Sequence, residues 1–95
     1  TTVGNLANWA AALASNQVLS KSSTKKMFTP YLDNYGYGWG IEKLKGGSHL
    51  YHHSGEWIGY TSNLLHVPEK KITIIFLRNF GDDNNLTRKL LKAIL

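Results

Sequence analysis

Histidine offers the most visible chemistry in this sequence, since three of its four histidines, His49, His52 and His53, lie within five residues. Imidazole nitrogens are common zinc ligands. In a β-strand, however, His49 and His53 would share a face about 13 Å apart, at roughly 3.3 Å per residue, while His52 would point to the other face. These three side chains therefore cannot bind one ion together.

A pair of histidines from neighbouring strands, His49 and His66, stays open as an alternative. Two nitrogens without a cysteine or a nearby pair of carboxylates make a poor zinc site, and the sequence contains no cysteine. We therefore predict no metal and no other cofactor.

Nucleophilic catalysis needs a serine, threonine or cysteine beside a base. The spacing Ser-x-x-Lys occurs twice, from Ser22 to Lys25 and from Ser23 to Lys26, and on a helix it brings the amine within reach of the hydroxyl. The pattern is short, and its residue types are common in this segment. We interpret it as a solvent-exposed helical turn rather than as a nucleophile.

Several short motifs occur between residues 35 and 79. Their order and spacing are more specific for a protein family than any single motif. Tyr-Gly-Tyr-Gly-Trp at residues 35–39 precedes His-Ser-Gly at 53–55, and Gly-Tyr-Thr-Ser follows at 59–62. Pro68-Glu69, an apolar segment and Asn79 come next. In order and spacing these motifs resemble the C-terminal part of the serine β-lactamase-like hydrolases, a bacterial family of class C β-lactamases, penicillin-binding carboxypeptidases, D-amino-acid peptidases and related esterases.

The resemblance implies that residues 53–56 border a catalytic cleft. His53 would be a catalytic group, a cation or hydrogen-bond donor that binds a substrate carboxylate or relays a proton. Ser54 would offer its hydroxyl to the substrate, and Gly55 would let the substrate backbone approach the strand. The backbone N–H of Glu56 would be one donor of the oxyanion hole.

In that family, the nucleophilic Ser-x-x-Lys and a Tyr-x-Asn element precede the region matched here. We therefore expect residues 1–95 to be the C-terminal portion of such a domain and to be inactive alone. The implied activity of the parent is hydrolysis of an amide or ester (a β-lactam, a D-amino-acid peptide or a small ester) through an acyl-enzyme. The alternative is a non-catalytic module that binds a peptide or cell-wall fragment. A periplasmic, secreted or cell-surface location is typical of the family.

The elements that must position these residues follow from hydrophobic periodicity. Apolar residues at helical spacing predict an N-terminal helix, a short second helix at about residues 22–28, and a C-terminal helix capped by Asp82 or Asp83. The stripe of the last helix is Leu86, Leu90, Leu91 and Ile94.

Alternating or continuous apolar residues predict four strands, at residues 35–43, 48–54, 60–67 and 71–79, with a connection between the second and the third. The fold class is therefore α+β with an antiparallel sheet. The nearly continuous apolar run at residues 72–77 is typical of a strand covered on both faces, so we expect further layers of the domain beside it.

Composition limits the partners. The net charge of +5 comes from bases scattered along the chain, which indicates a solvated surface, so we predict no nucleic-acid partner. The longest apolar run is far shorter than the roughly 20 residues that span a bilayer. The expected partners are a small-molecule or peptide substrate and, through an exposed sheet edge, further copies of the chain.

Overall fold

The computed structural model of the chain describes residues 1–81 and 84–95. Within them lie three α-helices, four strands and one short 3₁₀ helix, Pro68–Lys70. The helices are α1 (Val3–Ala14), α2 (Lys21–Met27) and α3 (Asn84–Ile94), and the strands are β1 (Gly40–Lys43), β2 (His49–Trp57), β3 (Tyr60–Val67) and β4 (Ile72–Arg78). The strands form one antiparallel sheet in the order β1-β2-β3-β4. This α+β architecture confirms the predicted fold class.

The first two helices begin at hydroxyl side chains. Thr2 Oγ1 accepts a hydrogen bond from the Asn5 N–H over 3.1 Å, and Ser20 Oγ accepts one from the Ser23 N–H over 3.2 Å. Each hydroxyl satisfies a backbone donor that the first helical turn leaves unpaired. The proposed caps of α3, Asp82 and Asp83, lie outside the described residues.

The first strand is shorter than predicted. Residues 35–39 form turns instead of a ladder: the Gly36 N–H donates to the Trp39 carbonyl over 2.8 Å, and Gly38 has φ +82°. Tyr35 forms only isolated bridges, to Leu32 and to Gly40. Alternating glycines fit a strand and a series of turns equally well, because glycine adopts positive φ without strain.

The second strand is longer than predicted. It runs through Gly55 and Glu56 to Trp57, and a turn of only two residues, Ile58 and Gly59, leads to β3. Gly59 has φ +79°, the conformation that the second central residue of a tight type II turn requires. The turn therefore keeps the candidate site residues inside a regular strand, not in a connection.

One part of the core lies between one face of the sheet and α3. Leu50, Leu65 and Val67 are buried, and Leu91 and Leu95 from the C-terminal segment pack against them. Each buried leucine or valine side chain contributes roughly 1.5–3 kcal/mol to folding. In the predicted stripe of α3, by contrast, Leu86 and Ile94 are exposed.

The apolar run in β4 is only half covered. Ile72, Ile74 and Phe76 are half-buried on one face, Ile75 is half-buried on the other, and Leu77 is exposed, so both faces are partly covered and the expectation of further layers stays a prediction. α1 contacts β4, Leu91 and Leu95 pack on the side that carries Ile74 and Phe76, and β4 is an edge strand of this sheet. Association through such an edge stays a prediction.

None of the described helices combines the length and apolarity needed to cross a membrane.

A close approach of backbone to backbone holds the α2–β1 connection. A Cβ on Gly36 would lie only 2.2 Å from the carbonyl oxygen of Met27, which accepts a hydrogen bond from the Tyr37 N–H over 3.1 Å. We expect Gly36→Ala to lower the free energy of unfolding by roughly 1–3 kcal/mol, the usual cost of overpacking. Denaturant unfolding of the two proteins measures it.

Gly81→Ala is the matched control, since a Cβ there meets nothing within 4 Å. It should leave stability unchanged or raise it slightly, because alanine restricts the unfolded chain. Equal stability of the Gly36→Ala variant and the wild type would contradict the packing argument.

Candidate functional site

The candidate site lies where β2 extends beyond its neighbour β1. Gly40, the first residue of β1, lies opposite His52. Residues 53–57 of β2 pair with β3 on one side, and no strand among residues 1–81 and 84–95 lies on the other. Backbone groups that face this open side are available to an extended substrate.

The β1–β2 hairpin identifies those groups. In an antiparallel pair, every second residue directs both its N–H and its C=O to the partner strand. The Leu44 N–H donates to the Ser48 carbonyl over 2.8 Å, and the register continues this alternation along the pair. Even-numbered residues of β2 therefore face β1, so Ser54 and Glu56 direct their backbone groups to the open side.

The turn that follows β2 also indicates that the backbone of Glu56 faces the open side. Trp57 lies opposite Tyr60 across the two-residue turn, and such a pair is hydrogen-bonded across the turn. Alternation then leaves Glu56, opposite Thr61, without hydrogen bonds to β3. The Glu56 N–H thus points out of the sheet edge, as an oxyanion donor would have to.

The His53 side chain lies beside a cavity at this edge. It is exposed, and its ring is 6.3 Å from the Tyr35 ring, centroid to centroid. Both residues line a cavity of about 350 Å³, together with Ser54, Asn34 and Glu42. An imidazole in this position can donate a hydrogen bond or accept a proton without first being uncovered.

The four predicted site residues are consecutive, but their side chains divide between the two faces of the sheet. His53 and Gly55 share one face, and Ser54 and Glu56 share the other. A Cβ on Gly55 would lie 2.9 Å from Ser62 Oγ, so the Ser62 hydroxyl occupies the first face at that point. The groups that converge on the cleft are therefore the His53 ring and the backbone at the open edge.

The other two histidines of β2 contact carboxylates of the chain. Glu69 Oε1 accepts a hydrogen bond from the His49 backbone N–H over 3.1 Å and lies 2.8 Å from its Nδ1. His52 Nε2 lies 3.2 Å from Glu42 Oε1. No group of three or more histidine, cysteine, aspartate or glutamate side chains in the described part of the chain is arranged to hold a metal ion.

The fourth histidine is buried. His66 Nδ1 and Thr73 Oγ1 are hydrogen-bonded over 2.9 Å. Burial lowers the pKa of His66, and the charge of Glu69 opposes this with a smaller effect. Since His66 and His49 each have another partner, the structure offers no support for the pair considered from the sequence.

The two Ser-x-x-Lys segments lie on the first turns of α2. Ser20 Oγ lies 3.2 Å from Ser22 Oγ and donates to Ser23 Oγ over 3.1 Å. All these side chains are exposed, and none of them lines the cavity beside His53. The arrangement is the solvent-exposed turn that the sequence suggested.

Two neighbours of the site were missed from the sequence. The predicted strand at residues 35–43 includes Tyr35 but does not indicate its contact with His53. The prediction assigns Trp57 to a connection, whereas the residue ends β2 beside Glu56. Gly59 is the residue that could have indicated the longer strand, because a glycine suited to a two-residue turn lets both flanking strands extend up to the turn.

The comparisons with known proteins agree with this architecture. The family model described as Beta-lactamase matches residues 1–95, so the chain belongs to the β-lactamase family. Among curated proteins it is similar to Penicillin-binding protein 4* of Bacillus subtilis (strain 168), with 31% identity over 88 residues. The match covers 86% of this chain and 20% of that protein, so the chain spans about a fifth of the relative's length. No solved structure matches significantly.

The lowered pKa of His66 predicts a loss of stability in mild acid. The unfolded chain takes up a proton near its usual pKa of about 6.5, whereas the folded chain resists it. The stabilising effect is thus complete above that pH and falls as the pH drops below it, by at most about 1.4 kcal/mol per pH unit. Thermal unfolding between pH 8 and pH 5 measures the slope.

His66→Gln should flatten this slope, whereas His52→Gln, which alters a half-buried side chain paired with Glu42, should leave the decline in place. A His66→Gln protein with the wild-type slope would show that another group is responsible.

Proposed function

We propose that this chain is the C-terminal portion of a serine hydrolase that cleaves an amide or ester through an acyl-enzyme. In this proposal, residues 53–56 form one wall of the active site, and the nucleophilic serine belongs to a part of the protein outside these 95 residues. The observation that carries the proposal is the open edge of β2 with the Glu56 N–H pointing outward.

The proposed chemistry uses two groups of this strand. The serine hydroxyl gives up its proton to a base as its oxygen bonds to the substrate carbonyl carbon, the base later supplies that proton to the leaving group, and the negative charge that develops on the carbonyl oxygen is stabilised by the Glu56 N–H. The bond to the leaving amine or alcohol then breaks, and the leaving group takes a proton. Water cleaves the resulting ester, which releases the acid and restores the serine.

His53 would hold the end of the substrate that leaves. Its imidazole lies on the strand three residues before Glu56, beside the cavity that Tyr35 also lines. From there it can bind a carboxylate of the leaving group or pass a proton to it. The substrate class that fits is a β-lactam, a D-amino-acid peptide or a small ester, which also agrees with the penicillin-binding name of the relative.

A non-catalytic module is the second candidate. The observation in its favour is the open edge of β2, where the backbone groups of Ser54 and Glu56 can pair with an extended peptide without any nucleophile. Such a module would hold a peptide or cell-wall fragment along the open edge without forming a covalent bond.

Removing one backbone donor tests the proposal. In the protein that carries these residues, Glu56→Pro deletes the N–H at the open edge, where proline is tolerated because no ladder hydrogen bond is lost. We expect kcat for a p-nitrophenyl ester or nitrocefin to fall by about 100- to 1000-fold, as for other oxyanion-hole donors. Steady-state kinetics measure the change, and circular dichroism checks the fold.

Glu56→Ala is the matched control, because it removes the side chain and keeps the N–H; its kcat should stay within a few-fold of the wild type. Equal activity of the Glu56→Pro variant and the wild type would refute the assignment of this amide. Intact mass spectrometry separates the two functions: an acyl adduct supports the hydrolase, and saturable binding of benzylpenicillin without an adduct supports the module.

A further inference from the structure

The connection between α2 and β1 contains a tight hairpin of its own. The Tyr31 N–H donates to the Tyr35 carbonyl over 3.0 Å, and the Tyr35 N–H donates to the Leu32 carbonyl over 2.9 Å. The two central residues, Asp33 and Asn34, have φ +51° and +56°. A two-residue type I′ turn requires positive φ at both positions, and aspartate and asparagine adopt it readily. The backbone of this hairpin is therefore closed by its own hydrogen bonds.

The residues that follow the hairpin are anchored to the rest of the chain. The Gly36 N–H donates to the Trp39 carbonyl over 2.8 Å, and the Tyr37 N–H donates to the Met27 carbonyl over 3.1 Å. The three tyrosines of this connection, at positions 31, 35 and 37, thus each donate a backbone hydrogen bond. Their side chains extend from a backbone that is already in place before a ligand binds, which lowers the cost of binding.

The three tyrosines line one cavity of about 480 Å³. Asp33 lies beside them in its wall and supplies a carboxylate, whereas no lysine, arginine or histidine of the described residues lines it. Tyr31 is 89% exposed and Tyr37 is 75% exposed, so their rings are not used to fill the core. Several exposed aromatic side chains on an ordered segment indicate a binding surface.

The chemistry of the lining determines which ligand fits. The face of an aromatic ring is negative and attracts a cation that lies within about 6 Å of the ring centre, and several rings around one cavity are the usual arrangement for quaternary ammonium groups. The Asp33 carboxylate adds a full negative charge. An anion would be repelled by that charge, and a neutral ligand would gain nothing from it, so the lining favours an organic cation.

We propose that the three tyrosines and Asp33 form a binding site for an alkylammonium group. This site is separate from the wall at residues 53–56, but Tyr35 and Asp33 also line the cavity beside His53, so a bound cation would lie next to the candidate active site. The proposal goes beyond the proposed function and does not depend on it, because binding of the cation needs no nucleophile.

A charged ligand and its neutral isostere test the proposal in the protein that carries these residues. Choline carries a trimethylammonium group, and 3,3-dimethylbutan-1-ol has nearly the same shape without the charge. Isothermal titration calorimetry should show saturable binding of choline. The alcohol should bind at least about tenfold more weakly, because it loses the attraction to the rings and to the carboxylate.

Variants of the lining locate the site. Tyr31→Ala and Tyr37→Ala each remove one ring and should weaken choline binding by roughly two- to fivefold, the loss expected for one exposed cation–π contact. Tyr37→Phe keeps the ring and should bind choline as the wild type does. Asp33→Asn removes the charge but suits the same turn, so it should weaken the binding of choline and not that of the alcohol.

Tyr60→Ala is the matched control, because it removes a tyrosine that is 64% exposed but lies at the β2–β3 turn, away from this cavity. It should leave choline binding unchanged, and circular dichroism checks the fold of every variant. Absence of choline binding to the wild type, or equal affinity for choline and the alcohol, would refute the site. The isostere comparison needs no variant, so it decides the matter even if an alanine variant fails to fold.

Discussion

The pairing between β1 and β2 stops at Gly40, opposite His52, and the candidate site depends on that stop. A Cβ on Gly40 would lie only 2.5 Å from the His52 ring, so glycine is what lets the ring lie across the start of β1. Before Gly40 the chain turns away through residues 35–39. Within the part of the chain that the structure describes, five residues of β2 then pair with a strand on one side only, which exposes the backbone at Ser54 and Glu56.

The rest of the molecule keeps this exposed stretch in register. The two-residue turn with Gly59 aligns Trp57 with Tyr60, and buried Leu50 and Leu65 hold the strands against α3. At the other end of β2, Glu69 binds both the backbone and the ring of His49. Burial by itself raises the pKa of Glu69, but these hydrogen bonds outweigh it, so the pKa is lowered and the carboxylate stays charged at neutral pH.

Much of this fold could be predicted from the sequence, because its strongest signals are local. The strand predicted at residues 60–67 has its observed bounds, and the observed caps Thr2 and Ser20 are of the residue types that commonly begin helices. What failed were boundaries decided by contacts between distant residues. The glycines of residues 35–39 fit strand or turn, and the approach of Gly36 to Met27 is a contact between separate segments that favours the turns.

The site was harder to predict for the same reason. The motif order pointed to residues 53–56, but the feature that makes them a wall is the early end of β1, which no residue within that segment encodes. The pairing of Trp57 with Tyr60 likewise depends on the length of the hairpin. The identities of the side chains in residues 53–56 suggest the chemistry. Which backbone groups are free to bind a substrate follows only from the register of the strands.

A crystal structure of the protein that carries this chain, with a boronic acid bound to its nucleophilic serine, tests the central claim most directly. The boronate mimics the tetrahedral intermediate. We predict that one of its oxygens lies about 2.7–3.1 Å from the backbone nitrogen of Glu56. A boronate oxygen bound elsewhere, with the Glu56 N–H hydrogen-bonded to another part of the protein, would contradict the account.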